Sequence, residues 1–110
     1  MKICITAKGN DINSPAEDRF GRAPVFLIVD DESGAVTPIV NDNAGGAGGV
    51  GVRSAQIMVE QGVSVVITGQ VGGNANSALK GAGIEVYTFR GGTANEALAA
   101  FKAGTLTRIL

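Results

Sequence analysis

The parts of this sequence best suited to chemistry are three glycine-rich stretches and a pair of arginines, and the chemistry they suit is anion binding. Asn41 to Gly51 contains Gly45, Gly46, Gly48, Gly49 and Gly51. Gly69-Gln70-Val71-Gly72-Gly73-Asn74 adds three glycines and Arg90-Gly91-Gly92-Thr93 two, so ten of the seventeen glycines lie in these clusters. Glycine lets bare backbone come close to a ligand. A glycine turn that opens a helix favours negative charge, because the first amides have no partner and the helix dipole is positive there. Asp18-Arg19-Phe20-Gly21-Arg22-Ala23-Pro24 adds two guanidiniums, whose fixed forks of donors suit anions, around a ring that suits an apolar wall. The alternative use of Arg19 is an exposed ion pair with Glu17 or Asp18.

Other chemistry is excluded by composition. With no histidine and one cysteine, the chain cannot build a Ser-His-Asp triad, a Cys-His pair, a histidine-ligated metal, a CxxC centre or a four-thiolate cluster. Cys4 lies inside an apolar strand and reads as a small buried hydrophobe. A net charge of −1 argues against nucleic acid as a partner. Gly46 to Gly51 spells G-x-G-x-x-G, but Thr68-Gly69-Gln70 puts no acid at the end of the following strand to hold a ribose. A phosphate-binding Walker loop fails as well, since Gly51 is followed by Val52-Arg53-Ser54. With no positioned pair of base and nucleophile, we expect no catalysis.

The elements that must position these residues follow from periodicity. Residues 2–7, 25–30 and 35–40 read as strands, with a hairpin turn at Asp31-Glu32-Ser33-Gly34 and with Pro38 marking a sheet edge. A helix is expected from about residue 52 to Gly62, a strand over 63–68, a helix over 74–80 and a strand over 84–89. Thr93-Ala94-Asn95-Glu96 fits a capping box that starts a last helix running to Lys102. Right-handed crossovers then give a mixed five-stranded sheet of order 3-2-1-4-5, with strand 2 antiparallel and helices on both faces. This is a three-layer α/β domain resembling the ribonuclease H-like fold. The strands of such a nuclease would need clustered carboxylates for two metal ions, and strands one and four supply none.

In this arrangement all three glycine clusters emerge at one end of the sheet, where open α/β sheets bind ligands. Three helix starts are therefore expected to converge on one pocket. The 110 residues suit a single domain. The apolar stretch at the N-terminus is too short for a signal peptide, and no segment is long enough to span a membrane, so the expected compartment is the cytoplasm. The edge strand permits a weak dimer, and a monomer is equally compatible.

The order of these motifs resembles the nitrogenase iron-molybdenum cofactor-binding family. The resemblance runs through MKICITA, Ser14-Pro15, Arg19-Phe20-Gly21-Arg22-Ala23-Pro24 with FLIVD, the Gly-Ala-Gly-Gly loop, VVITGQVGGNA and the closing EALAAFKAG. It covers nearly the whole chain. The family takes in NifX-like carriers, the C-terminal part of NifB proteins and the orange protein of sulfate reducers. It implies non-catalytic binding of a preformed metal-sulfur cluster, with cluster-assembly or recipient proteins as partners. On matching positions it places Phe20, Gly21 and Arg22, the glycines of 45–51, and Gly69, Gly72, Gly73 and Asn74 around the ligand. Arg90, Gly91 and Thr93 join them through the expected third helix start. Many members have a histidine just before Gly-Ala-Gly-Gly, where this chain has Ala44 and Gly45.

The expected cofactor is thus a molybdenum-containing metal-sulfur cluster, of molybdenum-copper sulfide or iron-molybdenum type, held non-covalently and without direct side-chain coordination. The alternative is a regulatory or assembly-partner domain that binds a simple anion or nucleotide, or no ligand.

Overall fold

The computed structural model describes residues 1–46 and 48–110. Its elements run β1 (Lys2–Ala7), β2 (Val25–Asp30), β3 (Val36–Val40), α1 (Val50–Glu60), β4 (Val63–Thr68), α2 (Gly73–Gly81), β5 (Glu85–Thr88), α3 (Ala94–Lys102) and β6 (Thr107–Arg108). One sheet of order β3-β2-β1-β4-β5-β6 contains all six strands. The expected order of the first five is found, with β2 antiparallel to β1 and β3, and with β4 and β5 parallel to β1. The five-strand expectation is corrected by β6, which adds Thr107 and Arg108 antiparallel to β5. Two residues are too few to show an alternating pattern, so this strand has no signature in the sequence.

The period of two in β1 sets the three layers. Ile3, Ile5 and Ala7 point to one face and pack with Leu27, Val29, Ile67 and the α3 residues Ala94 and Ala97. Cys4 points to the other, where Phe26, Val66 and Val86 meet Ala55 and Met58 of α1 and Ala75 and Leu79 of α2. Pro38 falls on the edge strand as expected, opposite Leu27.

At the carboxyl ends of the central strands, a buried polar pair fixes the chain that leaves β1. Thr6 Oγ1 donates to Glu17 O at 2.6 Å and lies 2.8 Å from Thr68 Oγ1. The main-chain amide of Glu17 returns a bond to Thr6 O at 2.9 Å. Segment 17–18 is thereby held across β1 and β4, which brings the arginine segment beside the loop after β4. No helix among the described residues is long and apolar enough to cross a membrane.

Candidate anion pocket

A cavity of about 490 Å³ opens at this end of the sheet, between the starts of α1 and α2. Segment 19–22 forms one wall, Gly49 to Val52 a second, and Gln70 to Ala75 a third. Phe20 forms the floor: its ring is buried, stacked at a tilt on Phe26 with centroids 5.8 Å apart. Two close approaches shape the cavity. A Cβ on Gly51 would come within 2.8 Å of the Ala75 Cβ, so only glycine lets the two helix starts meet. A Cβ on Gly69 would lie 2.7 Å from Asp18 O, so only glycine lets the loop after β4 pass under the arginine segment.

Both helix starts lack a side-chain cap and carry no acid in their first turn. The N-cap of α1 is Gly49, in the left-handed region at φ 71°, and that of α2 is Gly72, in extended backbone. The first-turn amides therefore face the cavity without a protein acceptor among the described residues, and the positive ends of two dipoles add there. At Gly72 and Gly73 an added Cβ would meet nothing within 4 Å, and neither has a positive φ. Folding does not require glycine at these two positions, although a ligand pressed against the backbone would.

Of the residues expected at the site, Phe20, Gly21, Arg22, Gly49, Gly51, Gly72, Gly73 and Asn74 line the cavity. Gly69 serves it indirectly through the close approach to Asp18. Gly45, Gly46 and Gly48 are not part of its lining; Ala47, between them, lies outside the described residues. The loop bends toward Arg22, whose Nη1 donates to Ala44 O at 2.9 Å and to Gly46 O at 2.5 Å. Its base is pinned by buried Asn41, which donates through Nδ2 to Gly21 O and Ala23 O.

The third helix starts where expected, but its first turn does not join the cavity. The amides of Ala94 and Asn95 donate to Ser14 O and Ile12 O, and that of Glu96 to Thr93 Oγ1, so the first turn of α3 has no free donors to offer. Arg90 turns its Nη2 to Gly69 O at 3.2 Å, and Gly91 and Thr93 lie outside the cavity lining. Arg19, read from the sequence as one of two guanidiniums suited to an anion, also lines the cavity, as do Gln70 and the apolar Val50, Val52 and Val71, which sequence reasoning did not single out. The alternative read for Arg19, an ion pair with Glu17, is present as well, with Nε 3.4 Å from Oε2.

The donor set is unsuited to a bare metal ion. Among the described residues no group of three or more His, Cys, Asp or Glu side chains is placed to hold one. Cys4 is fully buried and burial alone pushes its thiol far above the usual range, so it stays protonated in the core. The site is thus an amide- and arginine-lined cavity, of a chemistry suited to an anion, on a three-layer α/β sheet.

Comparison with known proteins gives the family. The chain belongs to the dinitrogenase iron-molybdenum cofactor family, whose model matches residues 1–104. An uncharacterised protein of Methanocaldococcus jannaschii is 33% identical over 111 residues, covering 98% of this chain and 91% of its own. Among solved structures, the apo form of the orange protein from Desulfovibrio gigas superposes with a TM-score of 0.92 at 33% identity, covering 96% of this chain and 90% of that one. A Thermotoga protein solved by NMR and described as a candidate NifB gives 0.89 at 42% identity, covering 98% and 92%.

Proposed function

We propose that this protein binds and carries, without catalysis, a preformed molybdenum-containing metal-sulfur cluster in the pocket between the α1 and α2 starts. The observation that carries the reading is the pairing of two uncapped helix starts with Gly72 and Gly73, where nothing in the fold requires glycine. A sulfide cluster completes its metals' coordination with its own sulfur and bears negative charge. It therefore needs amide donors, a guanidinium and an apolar floor, and these residues fit that need. Family membership and the likeness to the orange protein and the candidate NifB support the choice of cargo. A molybdenum-copper sulfide cluster suits the chain best, because Ala44 and Gly45 stand where many relatives offer a histidine ligand. The size of the cavity also fits, since it lies within the range of about 300–1,000 Å³ usual for small-molecule sites.

Reconstitution tests the reading. Apo protein mixed with tetrathiomolybdate and copper, then desalted, is expected to retain visible colour and molybdenum. Loss of both on desalting would overturn the proposal. The Cys4→Ser variant is expected to retain them equally, since the thiol is buried away from the pocket.

A further inference from the structure

Two arginines line the cavity, and their nitrogens are engaged differently. Arg22 commits Nη1 to two loop carbonyls, those of Ala44 and Gly46. Arg19 is tied only from behind: its main-chain amide donates to Glu17 Oε2 at 2.9 Å and its Nε to the same oxygen at 3.4 Å. Neither Nη of Arg19 has a partner among the described residues, and the side chain is 56% exposed at the cavity wall.

The base of Arg19 is unusually well fixed. The Glu17 side chain is only 9% exposed, and the main chain of Glu17 is bonded on both sides to Thr6. Phe20 donates its amide to Gln70 O at 3.1 Å, and Gln70 donates to Asp18 O at 2.6 Å, which locks segment 18–20 against the loop entering α2. A guanidinium held at Nε by a buried carboxylate presents its Nη pair in a set direction, and two parallel donors are what a dianion accepts best.

We infer that Arg19, aimed by Glu17, is the side chain that grips the anion, whereas Arg22 is a positioning residue that fastens the 44–46 loop. This deepens the reading above and rests on its anion pocket, but not on the identity of the cluster. The roles predict different signatures. Arg19 contributes a charge to the ligand, so its loss weakens binding and flattens the dependence on ionic strength. Arg22 contributes chiefly order to a loop, so its loss loosens that loop and flattens the salt dependence less than the loss of Arg19 does.

The test titrates wild type, Arg19→Gln, Arg19→Lys and Arg22→Gln with tetrathiomolybdate alone, a soft dianion, at several salt concentrations. Amide exchange at Gly46, whose N–H donates to Asn43 O, is followed in parallel. Arg19→Gln is expected to weaken binding about tenfold, as for a lost charge-assisted hydrogen bond, and to flatten the salt dependence. Arg19→Lys, which keeps the charge and loses the fork, should fall between it and wild type. Arg22→Gln is expected to flatten the salt dependence less than Arg19→Gln does and to exchange Gly46 faster.

If Arg22→Gln flattens the salt dependence as much as Arg19→Gln, or Arg19→Gln does not flatten it, the assignment is overturned. Absence of dianion binding by wild type also overturns it. Dianion binding with these signatures but no retention of a molybdenum-copper cluster would refute the proposed cargo and leave Arg19 as the anion contact. Retention of the cluster without an Arg19 effect would do the reverse.

Discussion

Gly51 and Gly72 are both glycines at helix starts facing one pocket, yet they answer to different demands. At Gly51 a methyl would collide with the Ala75 Cβ at 2.8 Å and push α1 off α2. Gly51→Ala is therefore expected to destabilise the fold by about 1–3 kcal/mol from overpacking, less up to about 1 kcal/mol regained in helix propensity. Urea unfolding measures the difference. At Gly72 a methyl would stand in open space on backbone that any residue adopts. Gly72→Ala should change stability by no more than about 0.5 kcal/mol while reducing cluster retention. Equal retention by Gly72→Ala and wild type would show that the ligand does not touch this helix start.

At the scale of elements, the sequence states more about how each helix begins than about what its beginning is for. The capping box at Thr93 and Glu96 is local, and it forms as its residues predict, with each side chain bonded to the other's amide. Thr93→Ala should cost about 1 kcal/mol of stability, read from thermal or urea melts, with no change in ligand retention. That the remaining amides of α3 are consumed by Ser14 and Ile12 is not local, because those carbonyls come from the loop after β1. A window around residue 93 cannot show it, so three helix starts were expected where two are free. The same limit hid the turning of Ala44 and Gly46 toward Arg22. Strands were legible wherever the run was long enough to show itself, as in β1, β2 and β4, and β6 was not, because two residues carry no pattern.

For the whole molecule, acid should act through carboxylates that the fold holds charged. Burial raises the affinity of Glu17 for its proton, but the Arg19 amide and guanidinium outweigh that and hold the carboxyl below its usual range. The amides of Glu32 and Ser33 do the same for Asp30. Groups whose folded pKa is depressed stabilise the fold above their unfolded values of about 3.9 to 4.3, and the contribution is lost as pH falls through the folded values. Melting temperature should therefore hold steady from pH 7 to 5 and drop below about pH 4, less steeply in Glu17→Gln. Ligand acts in the opposite direction: a cluster at a hundredfold excess over its Kd should add about 2.7 kcal/mol, visible as a raised melting point that nucleotides do not produce. Among the described residues the lining of the cavity consists of arginines, a glutamine, an asparagine, backbone and apolar groups. A pocket so lined presents no thiol to reduce, and its sensitivity to acid enters through Glu17, whose protonation would let go of the Arg19 guanidinium. On the proposed reading, a cluster so held would leave by competition for its metals at the open mouth.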